Sequence, residues 1–356
     1  MSQELVLSAV DQSPMRRGGT AAEALRDTVR LAQATDRLGY ARFWVAEHHN
    51  AGTFVGTSPE ILIGQILANT QHIRVGSGGV MLSHYSALKV AEQFRILDAF
   101  YPGRVDLGIG RAPGSDQLTA SALAYPKVPA DIRHFPQQVN DVVSWLHGKL
   151  DEKHPFRNIK AQPGPQPATV PDVWLLGSSD YSAQLAAELG LPFAFADFFG
   201  NPSEYGPVVA ELYRKNFKPS AYLIEPRLHV ALQVLCAPTE EEAAFIGSSR
   251  NLNKMSQMLG LREGLLPPEE ARAVEERLTP QQREFREGFR KAYIDGNPAQ
   301  VKAGILAAAE RYGTNDIGIV TICYHLRDRI RSYELIAQAF GLQPRGEQRE
   351  ATSSAG

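Results

Sequence analysis

Eight short apolar runs, each followed by a stretch of helical character, constrain this chain more than any other feature. They are Leu5–Val10, Arg42–Ala46, Ile73–Leu82, Val105–Ile109, Val173–Leu176, Phe193–Ala196, Leu228–Leu235 and Ile317–Ile322. All are rich in Val, Ile, Leu and Phe and alternate little between polar and apolar, the pattern of strands buried on both faces. Eight β/α units in one soluble chain predict the α/β class, as a (β/α)₈ TIM barrel with insertions after strands 4 and 7.

The helical stretches carry their own signals. From Thr20 to Leu38, Thr20 and Glu23 have capping-box spacing, Leu25, Val29 and Ala32 mark an apolar face, and Gly39 suits a stop. A second helix runs from Ser179 to Leu189 and ends at Gly190. Two intervals are long. The first, between strands 4 and 5, holds Gly114–Gln117, a helix near Val139–Leu146 and a Pro-Gly-rich run at Pro163–Pro171. The second, Thr239 to about Asn297, is charged and helical in character. Neither has strands enough for a core, so both read as insertions in one domain spanning residues 1–343, with 344–356 as a disordered tail.

Composition narrows the function. A net charge of −2 gives no electrostatic case for nucleic acid or an anionic membrane. The start, MSQELVLSAVDQSP, lacks a basic region followed by a long apolar one, and no apolar run approaches a membrane span. A cytoplasmic protein is therefore expected. Cys236 and Cys323 each end a β-like run and read as buried thiols in a reducing compartment, with neither the number nor the spacing for a metal site. A disulfide between them is the alternative.

In such a barrel the C-terminal strand ends converge on the active site. Strand 2 stops at Glu47-His48-His49-Asn50, strand 4 at Gly110-Arg111-Ala112-Pro113-Gly114, and strand 5 at Gly177-Ser178-Ser179-Asp180-Tyr181. The passage from strand 5 through Gly-Ser-Ser into a helix offers unpaired N–H groups, a positive dipole end and hydroxyl donors, which is a phosphate seat. Taken alone it reads more readily as a plain Ser N-cap, since such caps are common. Arg111 is either the other half of a phosphate clamp or a structural ion-pair partner. Gly78-Gly79 inside a good strand marks a bulge or the close approach of a flat ring, across a strained or cis peptide. His48 and His49, adjacent on a strand, point to opposite faces and cannot share one ion, so no metal site is expected. His48 is structural or catalytic. No nicotinamide fingerprint is present, because the run from Gly108 through Gly110 meets Pro113 where the third glycine should stand.

Four segments carry a resemblance: AEHHN at 46–50, IRVGSGGVMLSHY at 73–85, PGRVDLGIGRAPGSDQ at 102–117 and VWLLGSSDYSAQLAAELGLPFAFADF at 173–198. In order and at strand ends, they make the chain similar to the bacterial-luciferase-like flavin monooxygenases, in particular the non-luminescent alkanal monooxygenase type. The resemblance implies a (β/α)₈ barrel with FMN at its mouth. Ser178 and Ser179, with the backbone of Gly177, Asp180 and Tyr181, match the FMN phosphate seat, and Arg111 the arginine reaching the same phosphate. Gly78 and Gly79 match the pair whose non-proline cis peptide lies against the isoalloxazine. His48 matches the histidine beside the flavin, with Glu47 expected to orient it and its imidazole to titrate near neutral pH as general acid or base. Gly110 stands where the luciferase α chain has a reactive cysteine, which argues against light emission. The luciferase lid should correspond to the segment around Thr239–Asn297.

The chemistry so implied is a monooxygenase reaction. Reduced FMN from a separate reductase reacts with O₂ to give a C4a-peroxyflavin, which oxygenates a small apolar or carbonyl substrate. Two alternatives stand beside it: an FMN- or F420-dependent hydride-transfer oxidoreductase, and a flavin-binding protein without turnover. A homodimer is also implied.

Overall fold

The computed structural model describes residues 4–111, 116–164, 169–199, 205–258 and 263–346. The strands are β1 (Val6–Asp11), β2 (Arg42–Val45), β3 (Arg74–Met81), β4 (Val105–Gly110), β5 (Asp172–Gly177), β6 (Phe193–Ala196), β7 (Leu228–Cys236), β8 (Ile294–Gly296) and β9 (Asp316–Val320). The helices are α1 (Ala21–Arg37), α2 (Pro59–Ala68), α3 (Ala87–Phe100), α4 (Gln117–Ala124), α5 (Phe135–His147), α6 (Asp180–Leu189), α7 (Tyr205–Asn216), α8 (Glu240–Met258), α9 (Pro268–Glu275), α10 (Pro280–Arg290), α11 (Pro298–Tyr312) and α12 (Leu326–Phe340).

Strands β1 to β6 pair in sequence, β6 pairs β7, β7 pairs β9, and β9 returns to β1. Every ladder is parallel. The ring is closed, and this is the (β/α)₈ barrel that the apolar runs require, with the eighth run as β9. Strand β8 was not expected. It lies at the end of the interval after strand 7, which looked wholly helical, and extends the C-terminal half of β7 through Val234↔Ile294 to Cys236↔Gly296. Three residues, Ile-Asp-Gly, are too few to show a periodicity. The last barrel strand also stops at Val320, before the expected Ile322. Beyond it Thr321 turns its hydroxyl to the carbonyl of Val234 at 2.8 Å and gives its own carbonyl to Arg329.

Local signals account for the helices. Thr20 and Glu23 form the full capping box at the start of α1, and Gly39, at φ +90, follows its end. Gly190 closes α6 in the left-handed region at φ +62, where a glycine is favoured. The interval after β4 holds α5, as expected, and also α4, which gave no clear signal. Ala112, Pro113 and Gly114 at the end of the fourth strand, parts of the Pro-Gly-rich run and most of the expected tail lie outside the described residues.

Two apolar layers result. The larger lies between the strands and the helices and includes Phe43, Val75, Leu107, Leu175 and Phe193. The smaller fills the barrel interior with Val10, Trp44, Trp174, Ala194, Ala231 and Val320. Trp44 and Trp174 meet edge to face at 5.4 Å, and Trp44 Nε1 donates to Asp106 at 2.9 Å. Asp106 and Asp316 also face Arg42, while His229 Nδ1 lies 2.7 Å from Asp316. These groups plug the barrel interior with paired charges and leave its C-terminal end open.

Candidate active site

Two cavities adjoin at that open end. The inner one, about 460 Å³, runs from Trp44 and His229 past Gly78 and Gly79 to Arg111, Ser178 and Ser179. The outer one, about 370 Å³, lies against α8 and Tyr293. Gln12, His48, Phe198 and Phe199 line both. Both volumes suit a small molecule or cofactor.

The passage from β5 into α6 builds one end of the inner cavity. Ser179 is the N-cap residue in extended geometry, and its side chain makes no capping hydrogen bond. The plain-cap reading of the Ser pair therefore fails for Ser179, whose hydroxyl is left to the cavity. Gly177 and Ser182 pack tightly there: a Cβ at Gly177 would meet Ser182 Oγ at 2.3 Å. Arg111, at the end of β4, stacks its guanidinium 4.1 Å from the Tyr181 ring centroid. Among the described residues no carboxylate forms an ion pair with Arg111, so its charge is available to the cavity. Asp180 and Tyr181 stand apart from the lining; the Tyr181 amide donates to Asp180 Oδ1 at 2.8 Å, so of the expected backbone donors this one is already engaged.

Gly78-Gly79 is a non-proline cis peptide and also a bulge. Ser77 pairs Leu107 and Val80 pairs Ile109, so β3 has one residue more than β4 between these pairs. The sequence left bulge and cis peptide as alternatives; the strand has both. A Cβ at Gly79 would lie 2.7 Å from the carbonyl oxygen of Gly108, so the β3–β4 approach admits no side chain there. The result is a flat, side-chain-free stretch of backbone facing the cavity.

His48 lies at the junction of the two cavities. Its amide donates to Gly56 O at 2.8 Å, its ring packs 5.0 Å from Phe54, and its Nδ1 is buried without a partner. Two expectations need correction here. Burial, and then the nearby His49, pushes the His48 pKa down to about 4, so the ring is neutral at pH 7 rather than poised to titrate there. Glu47 does not orient His48. Its buried carboxylate accepts from His49 Nε2 at 2.7 Å, from Tyr85 Oη at 2.7 Å and from the Met81 amide at 2.9 Å. It ties the end of β2 to the end of β3 and draws His49 away from the cavity. The two imidazoles do part, as adjacent strand residues should, but it is His49 rather than His48 that meets Glu47.

Sequence reasoning missed much of the lining. Trp44, Leu176, Phe195 and His229 come from strand interiors, where apolar runs give no sign of which residue meets a cavity, and Met81 comes from the end of β3. The outer cavity takes Arg250, Asn253, Lys254 and Gln257 from α8. Their spacing of three, four and seven residues was a readable sign, a polar stripe where a core stripe would be apolar. Tyr324 and His325, at the end of the last strand, lie outside both linings. Cys236 and Cys323 are free, buried thiols, their pKa values pushed up by burial to about 11 and about 12. Among the described residues no cluster of three or more His, Cys, Asp or Glu is arranged to hold a metal, and no helix is long and apolar enough to cross a membrane.

Comparison with known proteins gives the family and agrees with the fold. The sequence profile of the luciferase-like monooxygenases matches residues 5–315. The N-acetyl-S-alkylcysteine monooxygenase of Bacillus subtilis is 36% identical over 334 residues, 94% of this chain and 97% of that protein. The crystal structure of apo-MsnO8 superposes with a TM-score of 0.87 at 38% identity, covering 96% of this chain and 100% of that one. The oxygenating constituent of 3,6-diketocamphane monooxygenase from Pseudomonas putida, solved with FMN, shares the fold at a TM-score of 0.69 and 18% identity, over 95% and 98% of the two chains. With a profile match over most of its length and a relative 36% identical over 94% of the chain, this chain belongs to the luciferase-like monooxygenase family and is an oxidoreductase of that family.

Proposed function

We propose that the protein is an FMN-dependent monooxygenase that uses reduced FMN and O₂ to oxygenate a small apolar or carbonyl substrate. One observation carries this reading: a guanidinium with no carboxylate partner among the described residues, a helix start with an uncommitted serine and a side-chain-free glycine pair line one cavity of about 460 Å³. These groups fit FMN chemically. Arg111, Ser178 and Ser179, with the Gly177 backbone, would hold the phosphate. Gly78 and Gly79 would give the ring system a flat face. The solved relative with FMN shares the barrel and supports the assignment.

When bound, reduced FMN supplies the electrons and activates the oxygen. The chain's own residues bind, orient and exclude water. Trp44, Leu176 and Phe195 supply apolar walls around the ring position. His48, neutral at pH 7, can take up a proton on one ring nitrogen and give one up from the other at the junction where substrate would meet cofactor. In this reading a separate reductase delivers reduced flavin and the enzyme works in the cytoplasm, a setting the two free thiols suit. It does so as a homodimer, for which the exposed Ile61, Ile96 and Phe100 on the neighbouring helices α2 and α3 offer an apolar surface.

The test is O₂ consumption and product analysis with chemically reduced FMN and a panel of aldehydes, ketones and thioethers. Substrate-dependent oxygen incorporation from ¹⁸O₂ is expected. Flavin reoxidation that yields only hydrogen peroxide with every compound, or turnover with reduced F420 but not FMN, would overturn the reading.

A further inference from the structure

The outer cavity differs in chemistry from the inner one. Arg250, Asn253, Lys254 and Gln257 form one stripe of α8 facing it. Three of the four are already satisfied. Arg250 binds Asp295 through Nη1 at 3.0 Å and Nη2 at 2.6 Å, also donates to Asn251, and stacks 4.4 Å from the Tyr293 ring. Asn253 Nδ2 donates to the Glu263 carbonyl at 3.0 Å, and Gln257 Nε2 donates to Asn253 Oδ1 at 2.8 Å.

Lys254 differs. Among the described residues no carboxylate lies within ion-pair distance of it; its ammonium sits 5.9 Å from the Phe199 ring centroid. The side chain is partly buried, and burial lowers its pKa. A partly desolvated cation without a counter-charge is unfavourable in the empty protein and becomes favourable when a ligand brings the anion.

We propose that the outer cavity is the substrate chamber and that Lys254 selects substrates bearing one anionic group, a carboxylate, on an apolar body. The inference rests on the reading that the inner cavity holds FMN, and it narrows the substrate class of that same site. Lys254 is a single ammonium without a carboxylate partner among the described residues, which matches a monoanion, and the amide of Asn253 is turned to Thr53 and the Glu263 carbonyl. The apolar body has a wall in Phe198 and Phe199, whose rings lie 4.6 Å apart. Both phenylalanines, with His48, also line the inner cavity, so a molecule anchored at Lys254 presents its far end at the junction.

The test uses the full chain and matched acid–amide pairs: hexanoate and hexanamide, decanoate and decanamide, phenylacetate and phenylacetamide. Affinities are measured by calorimetry with and without FMN, on wild type, Lys254→Met and Lys254→Arg, and FMN affinity is followed separately by fluorescence quenching. Wild type should bind acids about tenfold or more tightly than their amides, the size of one charge-assisted contact. Lys254→Met should erase that preference, Lys254→Arg should keep most of it, and FMN affinity should hold in both. Equal affinity for acids and amides in wild type, or a preference that survives Lys254→Met, would overturn the inference. Acid selectivity lost with Lys254 supports it even if FMN fails to bind, a result that would defeat the cofactor assignment alone.

Discussion

Replacing Arg111 with Met isolates the phosphate contact. The guanidinium is held 4.1 Å over the Tyr181 ring, and among the described residues no carboxylate neutralises it. Binding a phosphate therefore requires no internal ion pair to break, and the stack fixes the side chain beforehand, so little rotamer freedom is lost on binding. A hydrogen bond to a charged group contributes about 1.5–3 kcal/mol, which corresponds to a Kd raised about 10- to 150-fold. Arg111→Lys keeps the charge but loses the planar fork and the stack, so an intermediate loss is expected. Tyr181→Leu removes a cation–π contact of about 0.5–1 kcal/mol and should weaken FMN about two- to fivefold by freeing the guanidinium. The assay is quenching of flavin fluorescence, run in parallel with FMN and with riboflavin, which has no phosphate. Arg111→Met should leave riboflavin affinity unchanged. FMN affinity within about twofold of wild type in a folded Arg111→Met protein, or equal losses for FMN and riboflavin, would refute the reasoning.

Four further outcomes are expected. His48→Gln should lower turnover with reduced FMN while leaving the Kd for FMN near wild type; unchanged turnover would make His48 structural. The same variant should reduce acid sensitivity. With its folded pKa near 4 against an ordinary 6.5, His48 binds fewer protons folded than unfolded, so its contribution is complete above pH 6.5 and is lost as pH falls towards 4; His147, also held near 4 by burial and Arg95, acts in the same window, so chemical denaturation of single and double variants at pH 5 and 7.5 should show two separable losses. Gly79→Ala should cost about 1–3 kcal/mol or more in thermal or denaturant unfolding, because its Cβ would lie 2.7 Å from Gly108 O and 3.2 Å from Gly110 N; wild-type stability would mean that the β3–β4 seam yields. Glu47→Gln should destabilise by about 1–3 kcal/mol, since an amide cannot accept from His49, Tyr85 and the Met81 amide as a carboxylate does, and an unchanged unfolding midpoint would show that this network carries little weight.

The barrel was legible because strands buried on both faces must be nearly continuous apolar runs. Strand β8 was not, because three residues cannot display a period. Cap residues such as Thr20 and Gly190 were legible because they answer a local backbone demand. The cavity wall was harder. Arg111, Ser178 and Ser179 stand out as polar residues at strand ends, whereas Trp44 and His229 come from strand interiors and meet the cavity through barrel closure, a long-range effect. The partner of Glu47 was misassigned for the same reason: adjacency in sequence favours His48, but the chain turns after β2 and delivers His49. Lys254 was hidden differently. The polar stripe on α8 is readable, but only the folded contacts show that Arg250 is paired with Asp295 while Lys254 faces the outer cavity without a carboxylate partner among the described residues.

A crystal structure of the full chain soaked with FMN shows where the anionic tail and the flat ring system settle in the barrel mouth. Phosphate density is expected between the Arg111 guanidinium and the Ser178–Ser179 start of α6, with the ring system against Gly78–Gly79 and its edge towards His48. Phosphate bound at Lys254, or a ring system lodged in the outer cavity, would contradict this placement.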